Sequence, residues 1–206
     1  MTRVKICGIT NVDDAIMAVE AGADAIGFVF FKESPRFITH DRAREIIASV
    51  PAFVSTVGVF VNEPAWRVEE IMRITGLDIA QLHGDESPEE CCKLRRVIKA
   101  LRVEKMLDLE PIKQYEVSAF LLDAYSKGSY GGTGRVFNWE IALEAKKYGN
   151  IVLAGGLNPD NVAEAVKFVR PFAVDVSSGV EAEKGVKDPD KVRQFIRRAR
   201  HANVQT

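Results

Sequence analysis

Residues 4–10, Val4-Lys5-Ile6-Cys7-Gly8-Ile9-Thr10, decide between two folds. The run 4–7 suits a strand, and it feeds a turn that holds a single glycine. An open doubly wound sheet that binds a dinucleotide carries a glycine-rich G-x-G-x-x-G turn after its first strand, and this turn lacks it. Outward along the chain, short apolar, β-branched runs recur at 25–30, 54–61, 79–82, 97–103, 119–123, 151–154 and 172–176, so eight strand candidates stand in series. Most are nearly continuous in apolar character rather than alternating, as strands buried on both faces of a parallel sheet are.

Amphipathic helical patterns lie between the runs. In 12–21, Val12, Ile16, Met17 and Val19 are set against outward Asp13, Asp14 and Glu20, with Asn11 placed to cap the free amides and Gly22 to stop the helix. The stretches 41–50, 65–75, 88–96, 139–148, 162–169 and 189–199 read the same way, whereas 108–115, interrupted by Pro111, is a poor helix. Gly76 and Gly149 are stop signals, and Ser87-Pro88, Asn158-Pro159 and Asp188-Pro189 are cap-then-proline openings. Eight strands alternating with eight helical segments predict an α/β fold, a single (β/α)8 TIM barrel of minimal length over residues 1–206, in preference to the open sheet.

Composition removes several function classes. Lys plus Arg number 28 against 29 Asp plus Glu, a formal net charge of −1, which leaves no positive surplus for a phosphate backbone and predicts no nucleic-acid partner. No apolar run approaches the roughly 20 residues of a membrane-spanning helix, and the first residues lack a secretory apolar segment. A cytoplasmic protein with no membrane partner is expected. Cys7, Cys91 and Cys92 are an odd set in which the adjacent pair cannot readily bridge, so no disulfide scaffold is expected. His40, His83 and His201 are far apart and share no ligand spacing with the cysteines, so no metal is expected.

A barrel of this kind works at the carboxyl ends of its strands. The residues there are Cys7, Arg36, Gln81, His83, Asp123, Gly155, Gly156, Asp175, Ser177 and Ser178. Ala154-Gly155-Gly156-Leu157-Asn158-Pro159 follows the seventh run and Asp175-Val176-Ser177-Ser178-Gly179-Val180-Glu181 the eighth, where barrels commonly hold a phosphate. Backbone amides of such loops, with a short helix starting near Gly179, can solvate a dianion; the plainer alternative is a pair of tight turns. Tyr130-Gly131-Gly132-Thr133-Gly134-Arg135 reads as a lid over a substrate, or else as a simple linker.

Cys7 and Asp123 stand on opposite sides of the ring and can act as base and acid across a small substrate, although a free cysteine is often only a small buried hydrophobe. Arg36, in Ser34-Pro35-Arg36-Phe37, has the fork geometry for a carboxylate, or is a surface arginine. Gln81 and His83 can hydrogen-bond a substrate or shape the rim. Lys5 shares a strand face with Cys7 and predicts a buried ion pair, with Asp175 a candidate partner. Cys91 and Cys92 read as structural, His40 and His201 as helix-end residues, and Trp66 and Phe137 as interface or packing residues.

The series Lys5-Ile6-Cys7-Gly8-Ile9-Thr10, Gly27-Phe28-Val29-Phe30 with Ser34-Pro35-Arg36, Gly58-Val59-Phe60-Val61-Asn62, Gln81-Leu82-His83-Gly84, Leu121-Leu122-Asp123, Tyr130-Gly131-Gly132-Thr133-Gly134 and the two loops above resembles the phosphoribosylanthranilate isomerase family of tryptophan biosynthesis. The match runs in order along the whole chain. The resemblance implies a cofactor-free Amadori rearrangement of the small-molecule substrate N-(5-phosphoribosyl)anthranilate to 1-(2-carboxyphenylamino)-1-deoxyribulose 5-phosphate. It implies Asp123 as general acid and Cys7 as general base. It further implies Arg36 as the residue that holds the anthranilate carboxylate, and Gly155, Gly156, Ser177 and Ser178 as the phosphate clamp; Gln81, His83, Gly131 and Gly132 are expected as further substrate-binding residues and Asp175 as a further residue of the phosphate site. Ala124, where a hydroxyl residue often follows the acid, is a small departure. For the base to work, the site is expected to lower the Cys7 pKa, through Lys5 or through a substrate cation. A monomer or homodimer is expected. Two rival readings are a dual-substrate sugar-phosphate isomerase, which would place a carboxylate rather than Cys7 on the first strand, and a catalytically silent barrel that binds phosphorylated ligands.

Overall fold

The computed structural model describes residues 1–124 and 139–202. Strands β1 (Arg3–Cys7), β2 (Ala25–Val29), β3 (Ser55–Phe60), β4 (Ile79–Leu82), β5 (Val97–Val103), β6 (Ala119–Ala124), β7 (Ile151–Leu153) and β8 (Ala173–Val176) pair in chain order. All pairings are parallel, and β8 returns to β1 with Lys5 opposite Asp175, so the sheet is a closed barrel of eight strands. The predicted TIM barrel is what the chain forms, with every strand within two residues of its expected ends.

Four of the described helices begin where an N-cap side chain satisfies their free amides. Asn11 Oδ1 accepts from the Asp14 amide at 2.7 Å to open α1 (Val12–Glu20). Thr39 opens α2 (His40–Ile47), Ser87 opens α4 (Pro88–Cys92) and Asp188 opens α7 (Pro189–His201) in the same manner. Between them, α3 (Ala65–Thr75) ends on Gly76, whose φ of 82° is the left-handed conformation that glycine adopts without a Cβ penalty. The remaining helices are α5 (Trp139–Ala145) and α6 (Val162–Val169).

Two expectations need correction, and a third is made specific. The stretch 88–96 is helical only to Cys92, because the amides of Lys93 and Leu94 bond three residues back to Glu90 and Cys91 and tighten the last turn. Asn158 does not open α6: its Oδ1 accepts from the amides of Asp160 and Asn161 in a turn, and the helix starts at Val162. The poor helix at 108–115 is a 3₁₀ helix, Met106–Gln114.

One apolar cluster is made of barrel residues alone, Ile98, Ala100, Ala119, Leu121, Val152, Ala154 and Ala173. A larger one joins Ile6, Ile26, Leu122 and Val174 of the strands to Ala15, Val68, Val166 and Phe195 of the helices. The strands are therefore buried on both faces, which is why their sequences run continuously apolar. After β8 comes an unpredicted hairpin, β9 (Glu181–Glu183) with β10 (Val186–Lys187), whose register sets Lys187 opposite Glu181. Among the described residues no helix is long and apolar enough to cross a membrane.

Candidate active site

At the carboxyl ends of the strands a single pocket is lined by Cys7, Arg36, Gln81, His83, Asp123, Gly155, Gly156, Asp175, Ser177 and Ser178. These residues come from segments spread over the whole chain, and barrel closure brings them together. Gly131 and Gly132, with the rest of the expected lid, lie outside the described residues, as does Phe137.

Lys5 and Cys7 point the same way from β1, as the two-residue repeat of a strand requires. Lys5 Nζ donates to Asp175 Oδ1 at 2.9 Å, with side chains 5% and 10% exposed, so the expected buried ion pair is present. Gly27 on β2 makes room for both: a Cβ there would come within 2.9 Å of Cys7 Sγ and 3.0 Å of Lys5 Nζ. Burial alone would lower the Lys5 pKa, but Asp175 and Cys7 together more than offset it and the ammonium is pushed up to about 12.

Cys7 does not meet expectation. Burial pushes its thiol up, and Asp175 pushes the same way, so the pull of Lys5 and Lys187 is outweighed. In the unliganded chain the thiol is the favoured form.

On β4 and just past it, Gln81 Nε2 lies 3.0 Å from His83 Nδ1, and His83 Nε2 lies 3.4 Å from Asp123 Oδ2 at the end of β6. All three side chains are buried. Gln81 Oε1 has no hydrogen-bond partner among the described residues.

Arg36 is not a loose surface arginine. Its Nε and Nη2 donate to Glu181 Oε1 and Oε2, both at 2.7 Å, and Lys187 Nζ donates to the same carboxylate at 2.9 Å. Sequence reasoning passed over Glu181 and Lys187. Glu181 was visible only as the end of a glycine-serine motif, and nothing in a short charged hairpin signals that its two ends meet.

The two loops after β7 and β8 touch. Gly155 and Gly156 have φ of 75° and 71°, and a Cβ on Gly179 would sit 2.0 Å from the Leu157 carbonyl oxygen. Ser177 Oγ is buried with no hydrogen-bond partner among the described residues. The short helix expected near Gly179 is a 3₁₀ turn, Ser178–Val180. Asp175 lines this region but is committed to Lys5, so it acts on an anion only through that pair.

Beneath the β3 and β4 loops sits a second charged pair. Lys99 Nζ donates to Glu86 Oε2 at 2.7 Å and to the Gly84 carbonyl at 2.8 Å, and the Glu86 carboxylate accepts from the amides of Asn62 and Gly84. A lysine within the apolar run Val97-Ile98-Lys99-Ala100 was the available signal for it.

This arrangement matches known proteins along nearly its full length. The family model described as N-(5'phosphoribosyl)anthranilate (PRA) isomerase matches residues 4–198. A protein of Geobacter metallireducens named N-(5'-phosphoribosyl)anthranilate isomerase is 59% identical over 201 residues, covering 97% of this chain and 100% of that one. The crystal structure of phosphoribosyl anthranilate isomerase from Thermotoga maritima superimposes with a TM-score of 0.90 at 44% identity, covering 97% of this chain and 99% of that one. A phosphoribosyl anthranilate isomerase solved in complex with reduced 1-(o-carboxyphenylamino)-1-deoxyribulose 5-phosphate gives 0.87 at 44% identity with the same coverage. By its sequence, its closed barrel and these likenesses, the chain belongs to the N-(5'-phosphoribosyl)anthranilate isomerase family.

Proposed function

We propose that the chain acts in the cytoplasm, as a step of tryptophan biosynthesis, on N-(5-phosphoribosyl)anthranilate. It rearranges this substrate to 1-(2-carboxyphenylamino)-1-deoxyribulose 5-phosphate, with residues 1–206 as one catalytic barrel and without a cofactor. The observation that carries this reading is the placing of a thiol, Cys7, and a carboxyl, Asp123, in the wall of one pocket that also holds the two glycine-serine loops.

Asp123 gives a proton to the ribose ring oxygen while the nitrogen lone pair expels it, which breaks the C1–O bond and leaves an iminium at C1. The Cys7 thiolate then takes the proton from C2, and the bonding pair flows into the iminium to make a neutral enolamine. Protonation at C1, with loss of the C2 hydroxyl proton, yields the ketone. Since burial holds the thiol above its ordinary pKa in the unliganded chain, the Cys7 proton must leave to solvent before C2 is attacked, and the neighbouring iminium charge favours the thiolate that results.

Amides of Gly155, Gly156 and Ser178, with the Ser177 hydroxyl that has no partner among the described residues, suit the phosphate dianion. Arg36 suits the anthranilate carboxylate; Gln81 and His83 suit substrate polar groups, with Gly131 and Gly132 as further contacts. The analogue bound by the related enzyme carries both a carboxyl and a phosphate, which supports two anion sites.

Cys7 rather than a carboxylate on β1 disfavours the dual-substrate alternative. Phosphoribosylanthranilate fluoresces and its product does not, so purified protein should quench that signal catalytically. A signal that does not change faster with protein than without it would favour the silent barrel. Sedimentation of the same sample separates monomer from homodimer.

A further inference from the structure

Three segments far apart in sequence meet at one carboxylate. Glu181 begins the hairpin after β8, Arg36 belongs to the β2–α2 loop, and Lys187 is folded back onto Glu181 by the hairpin register. The side chains of Arg36, Glu181 and Lys187 are 13%, 5% and 0% exposed. The hairpin is tied in turn to the segment that follows Cys7: Thr10 Oγ1 donates to the Gly185 carbonyl at 2.7 Å, and the Lys187 amide donates to Asp14 Oδ2 at 2.9 Å. The Arg36 side chain crosses Gly8, where a Cβ would lie 2.5 Å from Arg36 Cδ. The Arg36 methylenes thus pass close over Gly8, and Glu181 holds one edge of the guanidinium.

Burying three charges carries a desolvation penalty for each ion, and a staple between loops needs no charge at all. Two features are explained only if the cluster serves the pocket. Arg36 lines it, and its Nη1 makes no hydrogen bond with the described residues although Nε and Nη2 are both taken. Two cations share one carboxylate, so the cluster keeps a single positive charge while its geometry is fixed.

We infer that Glu181, backed by Lys187, is a positioning residue for Arg36: it takes two of the guanidinium donors and so aims the remaining edge at the carboxylate of an aryl-carboxylate ligand. Lys187 keeps that edge attractive to an anion by offsetting the Glu181 charge. This rests on the reading of Arg36 as the carboxylate holder.

The test compares two ligands that share the phosphate: reduced 1-(o-carboxyphenylamino)-1-deoxyribulose 5-phosphate, and the same compound without its ring carboxyl. Their Kd ratio isolates the carboxylate contact, because effects on the phosphate loops or on general packing cancel. In the wild-type chain the carboxyl should tighten binding about tenfold or more, as a charge-assisted hydrogen-bond pair does. Glu181→Asp keeps the charge but falls one methylene short, and should reduce the ratio to about threefold. Glu181→Gln should bring it near unity, although that change raises the local positive charge.

The opposite sign, a ratio unchanged or larger in Glu181→Gln, would mean that charge alone matters and would overturn the inference. If Glu181→Gln does not fold by thermal melting, Glu181→Asp decides by itself, and an undiminished ratio overturns it. Arg36→Met serves as the control. A wild-type ratio persisting there would remove the assignment of Arg36, and the inference with it, whereas a collapsed ratio in Arg36→Met with an intact one in both Glu181 variants would reject Glu181 alone.

Discussion

His83 Nε2 lies 3.4 Å from Asp123 Oδ2, while the opposite nitrogen of the same ring lies 3.0 Å from Gln81 Nε2. With the Gln81 amide donating, Nδ1 accepts, and the ring proton sits on Nε2 facing the carboxyl. Nε2 makes no hydrogen bond with the described residues, so it is open to a substrate group that lies between the ring and Asp123. Gln81→Met removes the donor that sets this tautomer, and we expect kcat to fall about tenfold with a smaller change in KM. Steady-state kinetics at fixed pH checks this, and an unchanged kcat would contradict it.

Cys7→Ala and Asp123→Asn should each fold like the parent chain and lose a factor of about 10² to 10⁴ in turnover, the size expected for a general base or acid. Circular dichroism and the fluorescence assay together decide; near-normal turnover in both removes the proposed proton transfers.

The thiol carries its own pH signature. Because burial and Asp175 hold the Cys7 pKa above the ordinary thiol value, the reactive thiolate in the unliganded chain forms at higher pH than in a free cysteine. Lys5, with its pKa near 12, remains a cation throughout that range. Alkylation of Cys7 by iodoacetamide, followed by peptide mapping to separate it from exposed Cys92, should still be accelerating at about pH 9. An inflection at or below neutrality would refute the burial argument.

Lys99→Met strands the Glu86 carboxylate, 3% exposed at the side chain, with backbone amides as its remaining partners. Breaking a buried pair from one side costs about 3 kcal/mol or more. Urea denaturation should show that loss, and KM should rise as the loop bearing His83 and Gly84 loosens. A cost below about 1 kcal/mol would place the pair among the weak ones.

Gly179→Ala drives a methyl into the Leu157 carbonyl, which is backbone and cannot swing aside. We expect a loss of about 1–3 kcal/mol and weaker binding of inorganic phosphate, measured by thermal melting and by competition against substrate.

Much of this was legible beforehand for a physical reason. Continuous apolar runs such as Leu121-Leu122 and Ile151-Val152-Leu153 report burial on both faces, and cap signals at Asn11, Ser87 and Asp188 report helix starts, so local chemistry sufficed for the barrel. The Lys5–Asp175 pair was inferable because strand parity and barrel closure together fix it. What escaped depends on contacts with no local trace. The β9–β10 ladder is too short and too charged to show alternation, and the Glu181 grip on Arg36 spans 145 positions in the chain. The direction of the Cys7 shift also escaped, since burial outweighs the neighbouring ammonium only once the depth of the site is known.

The Lys5–Asp175 bond joins residues 170 positions apart, across the seam where β8 meets β1. A nascent chain emerging from the ribosome has no such seam until nearly all of it has been synthesised. Closing so wide a loop carries an entropy cost that only the finished ring repays, and Lys5 finds its counter-charge there. The catalytic chamber, which takes Cys7 from one side of that seam and Asp175 from the other, is therefore complete only when the ring is.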